Sequence, residues 1–343
     1  MRRRTLARAL LAACALLPAA VFAACGGDAP QTTPDAGAGA ARQRVVYAGS
    51  NWFGHAPVWA GIAHGIFEQA GFDVEARAFG SSTDRVTALE TGTAQFASVG
   101  EVAMLEAMAQ DRRGFYWIGN QDIAPGNEGL VAIRILRIED LRGKRIAVNL
   151  NSSVHITLYE LLKSKGLSIK TDVKLVHGAD RAVVDLVRNG DADAGIIWEP
   201  YFSELRQLPG AVLLGRDSDT SIFKRFGTMT GPDMVCASKA WVDEDAQRAK
   251  RFFRAYFEAV RWCKEHPEEL VQLIAERVGR PQEEVARAMA NFVWLDGDYQ
   301  FVAMSDSMLF AQAEYASQAL LEMDLIQTLP DFRAWTRPDV LAR

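Results

Sequence analysis

Residues 92–101 read GTAQFASVGE, and residues 190–199 read GDADAGIIWE. Gly92 and Gly190 lie 98 positions apart, and so do Glu101 and Glu199. Each glycine ends a predicted helix, as glycine often does. The short apolar run after each glycine is typical of a buried strand. The chain therefore contains an internal repeat, and its fold follows from the structure of one copy.

Each copy of the repeat has the element order β-α-β-α-β. In the first copy the strand-like segments are 44–48, 72–76 and 96–101, and the helices end near Gln69 and Gly92. In the second copy the strand-like segments are 144–148, 173–176 and 194–199, and the helices end near Lys165 and Gly190. This alternation predicts an α/β fold with mostly parallel sheets flanked by helices.

Two such copies predict a two-lobed architecture of the periplasmic-binding-protein type (type II-like). Ligands of open parallel sheets bind at the carboxyl ends of the strands, so two facing lobes would form one cleft that closes around a ligand. A strand at 234–237 is expected to return to the first lobe. We therefore predict lobe I over 44–128 and 234–343 and lobe II over 129–233. The predicted C-terminal helices of lobe I are 244–264, 268–278, 282–292 and 305–323.

Residues 1–24 predict a secretory signal peptide of the lipoprotein type. Four arginines in the first eight residues precede an uncharged apolar run over 9–24, which is short for a transmembrane span. Small residues directly before Cys25 resemble the bacterial lipoprotein processing box, which would make Cys25 the diacylated first residue. Cleavage after Ala23 is the alternative. Residues 25–43 are rich in Gly, Ala, Pro and Thr and predict a flexible tether.

The chain is acidic overall, and its basic residues do not cluster into a patch. The 343 residues include 38 basic and 43 acidic side chains, and loss of the four signal arginines changes the net charge from −5 to −9. Without a basic patch, nucleic acid is not expected as a partner. Cys236 and Cys263 could form one disulfide, although isolated cysteines are more often buried or free. No later segment is long and apolar enough to span a bilayer.

Signals of catalysis are weak. The sequence has no G-x-S-x-G elbow and no phosphate-binding loop. Its histidines show no metal-binding spacing; they are His55, His64, His155, His177 and His266. We therefore expect a protein that is not an enzyme and that uses no metal and no cofactor.

Several phrases resemble one known family, in the correct order. They are GHAPVWA at 54–60, HGIF at 64–67, GFDVE at 71–75, ALETG at 88–92, DLRGKRIAV at 140–148 and WEP at 198–200. Over most of residues 45–240 the chain resembles the nitrate/sulfonate/taurine-binding proteins of ABC importers. The resemblance implies a monomeric, periplasmic solute-binding protein that delivers its ligand to an ABC permease in the inner membrane. With Cys25, it would associate with the membrane through a lipid anchor.

Within that family the chain looks most similar to taurine- and aliphatic-sulfonate-binding proteins. The phrase GNEGLV at 126–131 resembles the segment where such relatives first cross between lobes. Trp198 matches their lobe-two tryptophan, and Asp233 approximately matches an acidic residue at their return crossing. The resemblance implies a small organic anion or zwitterion as the ligand. The alternatives are nitrate, bicarbonate or a pyrimidine as ligand, a ligand-sensing module, and an enzyme similar to a pyrimidine synthase that shares the fold.

Helix starts are the first candidates for the binding site. An oxyanion needs oriented donors, and helix N-termini supply free backbone N–H groups and the positive end of the helix dipole. Ser81 and Ser82 begin a helix of the first copy, and Asn151, Ser152 and Ser153 begin its counterpart in the second. Simple N-capping by Ser82 and Ser153 is the alternative.

Aromatic and acidic residues near strand ends complete the candidate set. Aromatic rings could form walls of the cleft, although a core position is the alternative; these residues are Trp52, Phe53 and Trp198. Carboxylates could match an ammonium group, although surface carboxylates are the usual explanation; these residues are Glu101, Glu128, Glu199 and Asp233. His55 is a further candidate at a helix start. This set favours a zwitterionic aminosulfonate as the ligand.

Overall fold

The computed structural model describes residues 41–305 and 308–341. The predicted signal peptide, Cys25 and most of the predicted tether lie outside the described residues. The strands are β1 (Gln43–Gly49), β2 (Phe72–Ala78), β3 (Phe96–Gly100), β4 (Phe115–Asn120), β5 (Asp122–Ile123), β6 (Glu128–Ile133), β7 (Arg145–Val148), β8 (Lys174–His177), β9 (Ala194–Trp198), β10 (Ala211–Arg216), β11 (Asp233–Ser238) and β12 (Val293–Trp294). The α-helices are α1 (Ala56–Ala63), α2 (Ile66–Gln69), α3 (Ser82–Glu90), α4 (Glu101–Ala109), α5 (Ser153–Lys163), α6 (Arg181–Arg188), α7 (Tyr201–Arg206), α8 (Ser221–Phe226), α9 (Lys239–Glu244), α10 (Ala246–Glu265), α11 (Pro267–Val278), α12 (Gln282–Met289), α13 (Gly297–Ser305) and α14 (Met308–Glu322).

Two five-stranded sheets share one topology. The first has the order β2-β1-β3-β11-β4, and the second has the order β8-β7-β9-β6-β10. Within the first sheet β1 pairs in parallel with β2 and β3, while β11 is antiparallel to β3 and β4. Within the second, β7 pairs in parallel with β8 and β9, while β6 is antiparallel to β9 and β10. The predicted α/β class, the two β-α-β-α-β copies and the mostly parallel sheets are confirmed.

The antiparallel strand of each sheet comes from a crossing of the chain. Strand β6 joins the second sheet shortly after β4, an edge strand of the first, and β11 returns to the first sheet after β10. The predicted return strand at 234–237 is therefore confirmed as part of β11. The exact division of the chain into lobes I and II remains a prediction.

Helices α10, α11 and α12 share a hydrophobic core with one face of the first sheet, and α13 and α14 share a core with the other face. Helix α10 is 20 residues long and begins with Asp245 as its N-cap, whose side chain accepts a hydrogen bond from the N–H of Arg248. Its buried Phe252 lies edge-on to Phe96 of β3, with ring centroids 5.3 Å apart. Aromatic rings of this size contribute much of the buried apolar area that stabilises such an interface.

The structure differs from the sequence predictions in several places. The helix predicted to reach Gln69 is divided into α1 and α2, because Gly65 between them has a left-handed φ of 67°. Helix α13 was not predicted, and α14 begins at Met308 rather than 305. Cys236 and Cys263 are both buried and free, so the possible disulfide is not formed. No helix within residues 41–305 and 308–341 is long and apolar enough to cross a bilayer.

Candidate functional site

One edge of the first sheet brings Asp233 and His55 together. Asp233 begins β11 and pairs with Gly100, the last residue of β3. Because β11 is antiparallel, its first residue lies at the edge formed by the carboxyl ends of β1 and β3. Oδ2 of Asp233 accepts a hydrogen bond from Nε2 of His55 at 2.8 Å. The His55 side chain is fully buried, whereas 14% of the Asp233 side chain is exposed.

Nδ1 of His55 faces the backbone of Ser50, whose carbonyl oxygen lies 3.2 Å from it and whose N–H is closer. A 3₁₀ turn over Phe53–His55 follows β1, and Nδ1 of His55 accepts a hydrogen bond from the N–H of Ser50 at 2.8 Å. Burial lowers the pKa of His55 and so favours the neutral imidazole. A neutral imidazole that accepts at Nδ1 donates from Nε2, which matches its contact with Asp233.

Asp233 is an anion that keeps one oxygen available. Burial acts to raise the pKa of its carboxyl, but the hydrogen bond from His55 and nearby positive charge outweigh burial and hold that pKa below its usual range. Only Oδ2 is engaged by His55. Oδ1 is therefore the oxygen that a bound cation could reach.

The start of α3 adds donors beside Asp233. Ser81 is the N-cap, and its Oγ accepts a hydrogen bond from the N–H of Asp84 at 3.1 Å. The alternative that Ser82 is the N-cap is thus wrong by one residue, since Ser82 is already helical. Oγ of Ser82 instead accepts hydrogen bonds from the N–H of Gly100 at 3.1 Å and from Nη2 of Arg85 at 2.6 Å.

The second sheet repeats this arrangement around Glu128. Glu128 begins the antiparallel strand β6 and pairs with Trp198, the last residue of β9. Its buried carboxylate accepts hydrogen bonds from three hydroxyls, those of Ser153 at 2.7 Å, Thr230 at 2.9 Å and Thr157. Burial raises the pKa of Glu128, and the three hydroxyl donors oppose that rise. The oxygens of Glu128 are occupied by the protein itself.

The start of α5 is arranged differently from that of α3. Ser152 is the N-cap residue, but its hydroxyl donates to the carbonyl oxygen of Asn149 at 2.7 Å and makes no capping hydrogen bond to the helix. Ser153 is the first helical residue and donates to Glu128, so the alternative that Ser153 is the N-cap is wrong. Asn151 is exposed and has a left-handed φ of 58°. Of these three residues, the structure brings only Ser153 into contact with another predicted site residue.

The return crossing, the segment just before β11 where the chain comes back to the first sheet, contacts the start of α5 at Gly231. A Cβ placed on Gly231 would lie 2.6 Å from Cβ of Ser153 and 2.9 Å from its Cα. Glycine is required there because any side chain would meet the helix backbone. The contact joins the segment before Asp233 to the helix that holds Glu128.

The remaining two acids have partners within the protein. Glu101 is buried at the start of α4, and its Oε1 accepts a hydrogen bond from Nε2 of Gln312 at 2.8 Å. Burial raises the pKa of Glu101 to about 8. Glu199 accepts hydrogen bonds from the N–H and Oγ of Ser203 at 3.1 and 2.8 Å, at the start of α7. Their roles toward a ligand remain predictions.

The predicted aromatic residues differ in burial. Trp52 and Phe53 stack with ring centroids 6.0 Å apart and planes 2° apart. Phe53 is buried in the core, whereas Trp52 is half-buried and also contacts Phe292 at 5.6 Å. Trp198 is half-buried at the end of β9. Trp52 and Trp198 thus keep ring surface that a ligand could contact.

Sequence reasoning missed several polar residues near these edges. Thr157 and Thr230 hold Glu128, Arg85 contacts Ser82, and Asp122 is fully buried. Arg85 and Thr157 lie three and four positions after Ser82 and Ser153, and this helical spacing was a usable signal. Thr230 lies three positions before the predicted Asp233, but neither Thr230 nor Asp122 had a sequence signal of its own. Within the described part of the chain, no group of three or more His, Cys, Asp or Glu residues could hold a metal ion.

The chain matches one known protein family over most of its length. The model of the family described as NMT1/THI5 like matches residues 52–270, more than half of the sequence. The chain belongs to this family. Its membership agrees with the resemblance seen in residues 54–75 and 140–148.

Two relatives of the chain are named for the binding of sulfonates or taurine. A putative aliphatic sulfonates-binding protein of Bacillus subtilis (strain 168) is 27% identical over 258 residues, 73% of this chain and 72% of that protein. The taurine-binding periplasmic protein of Escherichia coli (strain K12) is 26% identical over 241 residues, 68% of this chain and 72% of that protein. These names are consistent with the resemblance to taurine- and sulfonate-binding proteins.

Solved structures confirm the fold of this NMT1/THI5-like protein. The periplasmic aliphatic sulphonate binding protein of Escherichia coli matches with a TM-score of 0.69 and 18% identity, over 87% of this chain and 99% of that one. A desulfurization enzyme matches with a TM-score of 0.62 and 18% identity, over 88% of this chain and 98% of that one. The periplasmic-binding-protein fold is therefore confirmed, and the same fold also occurs in an enzyme.

Proposed function

We propose that this protein is the solute-binding component of an ABC importer for small sulfonates, with an aminosulfonate such as taurine as its ligand. The names of two relatives, an aliphatic sulfonates-binding protein and a taurine-binding periplasmic protein, support the sulfonate class. We also propose that the mature chain is a monomer, anchored in the membrane through Cys25, that delivers its ligand to an inner-membrane permease.

The observation that carries the amine assignment is the state of Asp233. Its carboxylate is ionised and held at Oδ2 by His55, while part of the side chain stays exposed at the edge of the first sheet. A fixed carboxylate with one available oxygen suits a charge-assisted hydrogen bond from a ligand ammonium. Nitrate offers no group that would bind there favourably.

The geometry of His55 favours binding over catalysis. Nδ1 accepts from the backbone of Ser50 and Nε2 donates to Asp233, so both ring nitrogens already have partners. A general base needs a free nitrogen within reach of a substrate proton. An enzyme on this fold is the second candidate, and the fold shared with a desulfurization enzyme supports it.

Replacement of Asp233 by Asn tests the amine assignment. Asn keeps an oxygen that can accept from His55 but removes the negative charge. A hydrogen bond between a carboxylate and an ammonium contributes about 1.5 to 3 kcal/mol. Asp233→Asn should therefore lower the affinity for taurine by about 10- to 100-fold. Ethanesulfonate, which lacks the amine, should bind with unchanged or slightly higher affinity.

Isothermal titration of both ligands against both proteins measures this selectivity. Asp73→Asn, an exposed carboxylate on β2, serves as the matched control and should change neither affinity. Equal losses for taurine and ethanesulfonate would show that Asp233 supports the fold rather than binding the amine. Mass spectrometry of the ligand after incubation with the protein would reveal any chemical conversion and so distinguish an enzyme from a binding protein.

A further inference from the structure

Arg85 is a buried cation at the edge described above. Only 6% of its surface is exposed, and it lies in the first turn of α3, a helix of nine residues. Its Nη2 donates to Oγ of Ser82 at 2.6 Å. That Oγ is 3.1 Å from the position of a Cβ placed on Gly100, and Oδ1 of Asp233 is 3.7 Å from the same position. Oγ of Ser82 and Oδ1 of Asp233 thus both lie near Gly100, and the charge of Arg85 acts on the Asp233 carboxyl although the two side chains form no ion pair.

The guanidinium of Arg85 is not fully satisfied by the protein. Its Nε is buried without a hydrogen-bond partner, and within residues 41–305 and 308–341 no carboxylate forms an ion pair with it. A buried charge is costly unless an opposite charge or several hydrogen bonds compensate it. Ser82 supplies one neutral oxygen, which is less than a guanidinium requires.

The charges around Arg85 indicate where an anion would be favourable. Burial is the main reason that the pKa of His55 is lowered, and the charge of Arg85 adds to that effect. The same charge helps to lower the pKa of Asp233. The positive field thus extends over the edge where Ser82, Gly100 and Asp233 meet. The first N–H groups of α3 add donors of the same sign.

We propose that Arg85 binds the oxyanion head of the ligand, at the start of α3 and beside Asp233. Arginine presents its donors in a planar fork that suits two oxygens of a sulfonate or carboxylate. The sulfonate would contact Arg85 and the first N–H groups of α3, and an ammonium on the same ligand would contact Asp233. This inference rests on the proposed function, and it assigns the anionic end of a compact zwitterion to Arg85 of α3 and the ammonium to Asp233 of β11.

Arg85→Gln and Arg85→Lys test the assignment, with Arg287→Gln on the exposed surface of α12 as the matched control. Binding of taurine, ethanesulfonate, acetate, sulfate and nitrate is measured by isothermal titration. Arg85→Gln should weaken taurine and ethanesulfonate by a similar factor of about 10 to 100, because both share the anionic head. Arg85→Lys keeps the positive charge but not the planar pair of donors, so it should lose less affinity than Arg85→Gln.

The outcomes separate this inference from the proposed function. If taurine binds and Arg85→Gln matches the control, Arg85 is not the anion-binding residue, although the protein is still a sulfonate receptor. If an oxyanion other than a sulfonate binds the wild type and Arg85→Gln no longer binds it, the Arg85 assignment holds and the aminosulfonate assignment fails. If no oxyanion binds the wild-type protein, the assignment of Arg85 is overturned as well. The ligand-free Arg85→Gln protein should melt no lower than the wild type, and a large drop would show a structural role instead.

Discussion

Glu101 is expected to make the stability of the protein depend on pH. Its carboxyl is buried at the start of α4 and has one hydrogen-bond donor, Nε2 of Gln312, while Oε2 has no partner. Burial raises its pKa from an ordinary value of 4.5 to about 8 in the folded chain. At neutral pH the folded protein therefore keeps a proton on Glu101 that the unfolded chain has released.

The sign and the size of the effect follow from this difference. Below about pH 4.5 both states are protonated, and Glu101 adds no pH dependence. Between about 4.5 and 8 the folded state binds the additional proton, so the free energy of unfolding falls as pH rises, by about 1.4 kcal/mol per pH unit. The contribution of Glu101 is lost as pH rises to about 8, and the change from pH 6 to 8 is about 2 kcal/mol.

Glu101→Gln removes the titration and keeps an oxygen that can accept from Gln312. Denaturant unfolding of the ligand-free protein at pH 5 through 8 should show the variant gaining stability relative to the wild type as pH rises. Glu314→Gln, an exposed position on α14, is the control and should leave the pH profile unchanged. Parallel pH profiles for the wild type and Glu101→Gln would refute the argument from burial.

Two further predictions concern the return crossing and the anchor. Gly231→Ala places a Cβ 2.6 Å from that of Ser153, so the start of α5 must shift. Denaturant unfolding should show that the free energy of unfolding falls by about 1 to 3 kcal/mol. Gly80→Ala, whose new Cβ has its nearest contact at 3.6 Å, is the control and should change that free energy little. Equal stability of the two variants would contradict the close contact. Cys25→Ser should release the protein from membranes of a Gram-negative host, as measured by fractionation, and unchanged membrane association would exclude acylation at Cys25.

The topology could be predicted because the repeat has strong local signals. Gly92 and Gly190 end helices in both copies, and the apolar runs after them become β3 and β9. Asp233 was a candidate because it lies at a predicted crossing and approximately matches an acidic residue of the relatives, and His55 because it lies at a helix start. Their hydrogen bond could not be predicted, since 178 positions separate them and the contact depends on β11 returning beside β3.

Other features had no local signal. Glu128 was predicted to face a ligand, but its hydroxyl partners come from α5 and from the return crossing, which the sequence does not place beside it. Helix α13 begins with Gly297 and Asp298, residues that commonly indicate a turn, and its sequence has little amphipathic pattern. Tertiary packing rather than helical propensity explains that element.

The most direct test of the proposed function is the melting temperature of the purified protein with a saturating concentration of taurine. A ligand that binds only the folded state at 100 times its Kd adds about 2.7 kcal/mol to the free energy of unfolding, so a clear rise in melting temperature is expected. Ethanesulfonate should raise it less, and nitrate should have little effect. A rise with nitrate, bicarbonate or a pyrimidine, and none with any sulfonate, would contradict the assignment of this protein as a sulfonate receptor.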